Sequence, residues 1–200
     1  MQVPLTALSP PSRIPSVGAR DLTSSAPLTG LSSGRFKAAL EEMFSTNWWK
    51  RGCSIVKIEI DDFEQYAGSE EEQAVNFALF IVGIVLKGYA RRNDVAGHSQ
   101  GGEFIVLLPG AGKRRAVSFA KRVTWDVASQ FKDGHTRITV SSGVASQDRS
   151  MTHYSQLVEL ADSALHAAKR RGGNRVAVGY PGAEEVWLPP RPPIEALRSA

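Results

Sequence analysis

The chain has 200 residues, 42% hydrophobic and 22% charged, the balance of a globular domain of ordinary size with tails. Its net charge of +4 is scattered along the chain, which permits an anionic ligand and gives no argument for nucleic acid. The one cysteine, Cys53, excludes an internal disulfide and fits a reducing cytoplasm.

Residues 1–26 are rich in Pro, Ser and Thr and lack periodicity, so they read as a flexible arm. They have neither the basic start nor the unbroken apolar core of a signal peptide. "GRFKAALEEMF" (34–44) has apolar residues at helical spacing, and Trp48 and Trp49 follow it. "CSIVKIEI" (53–60) is rich in β-branched residues and alternates in its second half, which predicts a strand with Cys53 as a buried structural thiol. "EEEQAVNFALFIVGIVLKGYARR" (70–92) carries acids at its start and bases at its end. That matches the helix dipole and predicts a long, mostly buried helix. Its apolar core, "FALFIVGIVL" (77–86), is too short to span a bilayer.

"EFIVLLPG" (103–110) is a strand stopped by Pro-Gly, and "KRRAVSFAKRVTWDVASQF" (113–131) an amphipathic helix. "TRITVSSGVA" (136–145) is a strand, "YSQLVELADSALHAAKRRGG" (154–173) a helix closed by glycine, and "NRVAVGY" (174–180) a last strand. Residues 181–200 read as a Pro-rich tail. Its "WLPPRPP", with Trp187, suits either an aromatic-lined groove on a partner or a strap on its own domain. Helices and strands alternate, so the domain is α/β with one central sheet.

Five segments in order resemble the GGDEF domain, the fold of diguanylate cyclases. They are "PLTGL" (27–31), "IEIDDFEQY" (58–66), "QGGEF" (100–104), "VSSGVA" (140–145) and "LADSALHAAKRRGGNRV" (160–176). Together they span about three quarters of the chain. The resemblance implies a nucleotide-cyclase palm-like domain over residues 27–180. Its central sheet would be mostly antiparallel, five-stranded and flanked by helices, with the signature on a β-hairpin.

Cyclases of this family join two GTP molecules, using carboxylates to hold Mg²⁺ and cations to neutralise charge. By the resemblance, Glu59 falls on the first metal aspartate, Ile60 on the backbone ligand and Asp61 on the motif's second aspartate. The second metal carboxylate falls on Gly102, and Glu103 on the signature's other acid. Gln100 replaces a glycine, His98 an arginine, Gly173 a phosphate-contacting arginine and Ala26 the opening acid. The base-reading positions fall on Ala67 and Asn76, while Lys169 is kept. Glu59, Asp61, Gly102, Glu103 and Lys169 are therefore expected to be relic positions with no catalytic role. The chain is expected not to be an enzyme, and neither Mg²⁺ nor any other metal or cofactor is expected.

The family's second nucleotide site, the inhibitory or I-site, is an R-x-x-D five residues before the signature, and it binds cyclic di-GMP. "RRND" supplies Arg91 and Asp94, and residues 95–99 give the spacer. A further family arginine falls on Arg122. Arginine's fork suits guanine O6 and N7 or a phosphate, and a carboxylate suits guanine's N1 and N2 donors. The expectation is a cytoplasmic cyclic di-GMP receptor that signals to a protein partner, with a ligand-bridged homodimer possible and no nucleic-acid or membrane partner. Two alternatives stand beside it: a nucleotide-independent interaction scaffold using the tails, and a weak residual cyclase or GTP binder.

Overall fold

The computed structural model describes residues 52–66, 72–98, 101–131, 137–148, 150–180 and 183–187, with helical positions at 38, 41 and 42. The N-terminal arm, the opening motif with Ala26, Trp48, Trp49, Ala67, Gln100 and the chain after 187 lie outside the described residues. Of the helix expected over 34–44, only those three positions are described.

The elements follow the order β1 (Cys53–Ile60), α1 (Phe63–Tyr66), α2 (Glu72–Tyr89), β2 (Val95–His98), β3 (Glu103–Pro109), α3 (Lys113–Gln130), β4 (Val140–Ser146), α4 (Tyr154–Arg170), β5 (Val176–Tyr180) and β6 (Ala183–Trp187). The strands form one mixed sheet in the order β2-β3-β1-β4-β5-β6. Only the β4–β5 pair is parallel, and α4 makes that crossover; the other pairs are antiparallel. The α/β sandwich and its signature hairpin, β2 to β3 with His98 opposite Phe104, match the expected fold.

The sheet has a sixth strand beyond the five expected. β6 lies within the segment read as a tail and pairs antiparallel with β5. "AEEVW" contains no proline, and the proline run begins only at Pro189. Every residue of β6 therefore keeps the N–H that a ladder requires.

Alternation along β1 sorts its side chains to two faces. Val56, Ile58 and Ile60 pack with Phe104 and Val106 of β3 under α2 and α3. The amphipathic stripe of α3, Ala116, Val117, Ala120, Val123 and Val127, is buried against that face. Each fully buried Val, Ile or Phe here contributes about 1.5–3 kcal/mol relative to exposure. On the opposite face Cys53 and Ile55 pack with Leu157 and Ala161 of α4. Burial pushes the Cys53 thiol up to about 12, so it stays protonated and unreactive at neutral pH.

Helix α4 begins at a reciprocal cap. Ser155 N–H donates to His153 Nδ1 at 3.2 Å, and His153 N–H donates to Gln156 Oε1 at 3.1 Å. The helix then lies on β4 and β5 through bare glycines. A Cβ built on Gly143 would stand 2.1 Å from the Ala161 carbonyl oxygen and 2.3 Å from the Leu165 nitrogen. One on Gly179 would stand 2.4 Å from the Leu160 carbonyl oxygen. Backbone atoms cannot rotate away, so α4 would have to lift. Gly143→Ala is expected to cost at least about 3 kcal/mol, read as a lower urea-denaturation midpoint with an unchanged slope.

Candidate functional site

The residues singled out from the sequence gather in two places, one on each side of the sheet. The first is at the end of β1, under α4. Asp61 is buried there and saturated. Thr139 Oγ1 donates to its Oδ2 and Ser141 Oγ to its Oδ1, each at 2.6 Å, and the Asn174 N–H donates to Oδ2 at 2.8 Å. This carboxylate joins β1, β4 and the turn after α4.

Gly173 sits against the same carboxylate. Its φ is +68°, and a Cβ there would stand 3.0 Å from the Asp61 Cγ. A left-handed turn this tight against Asp61 favours glycine at the position.

Glu59 and Glu103 stand directly opposite each other in the β1–β3 ladder. Two carboxylates facing across an antiparallel pair repel unless cations intervene. Lys169 of α4 reaches Glu59 Oε1 at 2.5 Å. Lys57 lies 3.0 Å from Glu103 Oε1 and also donates to Asp162 of α4. Its side chain is only 10% exposed. Burial by itself would lower the Lys57 pKa, but hydrogen bonds to Asp162 and Glu103, with the charges of both acids, outweigh it and hold the pKa above its ordinary 10.5. Sequence reasoning missed Lys57 and Asp162, which lie 105 positions apart. The one signal was the alternation in "IVKIEI", which puts Lys57 and Glu59 on one strand face.

The hairpin closes over this corner. Ile60 N–H donates to the Gly102 carbonyl oxygen at 3.1 Å. A Cβ on Gly102 would stand 2.7 Å from Phe63 Cδ2 and 3.1 Å from Ile60 Cβ. The space for a side chain at position 102 is thus taken by the Phe63 ring. His98, at the family's arginine position, braces the turn instead. Its Nε2 lies 3.0 Å from the Gly101 carbonyl oxygen, and its ring packs 4.8 Å from that of Phe104. Asn76 is exposed on α2.

Mg²⁺ asks for several clustered hard oxygen ligands. Here Asp61 is satisfied by three donors, Glu59 and Glu103 are each held by a lysine, and Gly102 offers no carboxylate. No group of three or more His, Cys, Asp or Glu among the described residues is arranged to hold a metal ion. The residues so arranged do not fit the ion.

The second place is a cavity of about 370 Å³ between the end of α2 and the face of α3. Tyr89, Arg91, Arg114, Arg115, Ser118, Phe119 and Arg122 line it. Arg91 and Arg122, far apart in sequence, thus share one pocket. Arg114 and Arg115 were not singled out, although Arg114, Ser118 and Arg122 recur at intervals of four and so share one side of a helix. The Arg122 guanidinium lies 5.8 Å from the centre of the Tyr89 ring, a cation–π distance.

Asp94 is present but turned inward, its side chain 2% exposed. Its Oδ2 accepts the Arg91 N–H at 2.8 Å, closing the turn after α2. Arg115 Nη2 donates to Oδ2 at 2.8 Å and to Oδ1 at 3.1 Å.

Residues 26–175 match the profile of the diguanylate cyclase, GGDEF domain family. The chain belongs to that family. It is 30% identical over 149 residues to diguanylate cyclase A of Treponema denticola, covering 72% of this chain and 40% of that protein. It is 31% identical over 123 residues to diguanylate cyclase DgcM of Escherichia coli K12, covering 62% of this chain and 30% of the relative. The chain thus spans well under half the length of these curated relatives.

Among solved structures it resembles the coiled coil and GGDEF domain of DgcB from Caulobacter crescentus in complex with cyclic di-GMP. The TM-score is 0.69 at 22% identity, over 80% of this chain and 87% of that one. It also resembles diguanylate cyclase SiaD in complex with its activator SiaC from Pseudomonas aeruginosa, with TM-score 0.68 at 23% identity, over 80% of this chain and 66% of that one.

The expectation that the chain is not an enzyme is corrected by these relatives, which are named diguanylate cyclases and place it in an enzyme family. At the end of the sheet the fold keeps two acids facing each other, with two lysines between strand and helix. Among the described residues, no helix is long and apolar enough to cross a membrane.

Two outcomes follow from the β1 corner. Gly102→Ala must displace Phe63 and is expected to cost about 1–3 kcal/mol, measured by urea denaturation. Folding raises the Lys57 pKa, so its ion pairs stabilise fully below pH 10.5 and lose that contribution as pH climbs past the raised value. Thermal melts between about pH 8 and about pH 12 should therefore show a steeper alkaline loss for the wild type than for Lys57→Met.

Proposed function

We propose that this GGDEF domain is a receptor for cyclic di-GMP, which it binds in the arginine-lined cavity and signals onward to a protein partner. The observation that supports the reading is the convergence of Arg91 and Arg122, with Arg114 and Arg115, on one cavity of about 370 Å³. That volume lies within the roughly 300–1,000 Å³ usual for ligand sites. The guanidinium groups of Arg91, Arg114 and Arg122 suit two phosphodiesters and the acceptor edges of guanine, while Arg115 is held by Asp94, and the Tyr89 and Phe119 rings offer apolar faces to the bases.

Arg91 and Arg122 are exposed, so they can reach a ligand without unfolding any element. The solved structure of DgcB contains cyclic di-GMP, and the ligand's identity is carried to this chain as part of the proposal. Because the ligand is two-fold symmetric, each molecule could bridge two domains, giving a ligand-linked homodimer as one form of output.

Isothermal titration calorimetry tests the reading. Wild type is expected to bind cyclic di-GMP, and Arg91→Ala to bind at least about tenfold more weakly, since one charged hydrogen-bonding contact is worth about 1.5–3 kcal/mol. Absence of heat with wild type, or equal affinity in the variant, overturns it.

A further inference from the structure

Guanine is told from adenine on its Watson–Crick edge by the N1–H and N2–H donors, which call for an acceptor such as a carboxylate. Every charged residue lining the cavity is an arginine, which donates and cannot accept. Two acids touch the cavity lining: Asp126, which accepts from the Tyr89 hydroxyl, and Asp94, which Arg115 closes off. The Asp94 side chain is 2% exposed, both its oxygens are held by Arg115 Nη2, and Oδ2 also takes the Arg91 N–H. Arg115 itself is in the cavity wall, with 24% of its side chain exposed.

The arginine therefore lies on the acceptor that a guanine would need. A single arginine nitrogen lying on both oxygens of a nearly buried carboxylate is a charge-assisted contact, so it competes with an incoming base.

From this geometry we infer that Arg115 is a specificity-determining gate of the cavity, holding Asp94 shut so that guanine is read only when Arg115 swings aside. The inference rests on the receptor reading above and says what regulates that same site. With Arg115 on Asp94 the charged groups lining the cavity are all cations, and the Asp94 carboxylate is withheld from a base. With Arg115 away, the carboxylate accepts from guanine N1 and N2, and selectivity appears.

The apparent affinity for a guanine dinucleotide is reduced by the fraction of molecules in which the gate is open. A phosphate-only contact gains nothing from opening, so it cannot shift that equilibrium. Arg115 acts through Asp94 and is in this sense a positioning residue. Removing it leaves Arg91, Arg114 and Arg122 to meet the phosphates.

The test compares cyclic di-GMP with cyclic di-AMP, which shares the phosphates and lacks the N1–H and N2 donors, on the whole chain by calorimetry. Arg115→Ala is expected to tighten cyclic di-GMP by on the order of tenfold and to leave cyclic di-AMP within about twofold. Arg115→Lys, which keeps the charge on a different, ammonium head, is expected to fall between wild type and Arg115→Ala. It also serves as the folded variant should Arg115→Ala melt early.

Weaker or unchanged cyclic di-GMP binding in both variants overturns the gate while leaving the receptor reading intact. An equal gain for both dinucleotides overturns it as well, because base reading would then not be involved. If neither wild type nor either variant binds cyclic di-GMP, the receptor reading fails and the gate fails with it. Binding in Arg115→Ala with none in wild type supports the gate and still overturns the receptor reading for the native chain.

Discussion

Helix α4 touches the sheet with no side chain between its backbone and Gly143 or Gly179, and the layout of one whole face follows from that approach. A helix held this close cannot stand over large apolar side chains. The buried stripe of α4 is accordingly small, with Ala161, Ala164, Ala167 and Ala168 alongside two leucines. The same closeness brings Asp162 and Lys169 down to β1, where they meet Lys57 and Glu59. Two lysines and three acids are thereby packed into a thin layer that a deeper hydrophobic core would have kept apart. Each charge in that layer has a partner of opposite sign, as partly buried ions require.

Asp61 then fixes the open end of this layer. It accepts from two hydroxyls on and beside β4 and from the backbone of the turn that follows α4. The left-handed Gly173 and the hairpin's Gly102 both lie where added side chains would collide, with Asp61 and with Phe63 respectively. At 102 the Phe63 ring fills the space a side chain would take, and at 173 the turn is drawn tight onto Asp61.

The arginine cavity lies across the sheet from this layer, between α2 and α3. Its parts come from two sources: the turn that ends α2, and the exposed side of α3 whose other side is buried in the core. Because α3 is anchored by Phe119, Val123 and Val127, the spacing of Arg114, Arg115 and Arg122 on its outer side is fixed by the helix.

Much of this could be read from the chain alone. The order of helices and strands, the signature hairpin and the family depend on local periodicity and on motif spacing. Both are written along the sequence. Three things depended on contacts between distant positions. The sixth strand needed β5 as a template, since "AEEVW" has little strand character of its own. The retained acids gained their meaning only when Lys57 and Lys169 closed on them from β1 and α4. And Asp94 is held by Arg115, a residue 21 positions on that no spacing rule connects to it. A sequence fixes which groups exist and how they repeat, while the close approach of two elements decides which charge finds which partner.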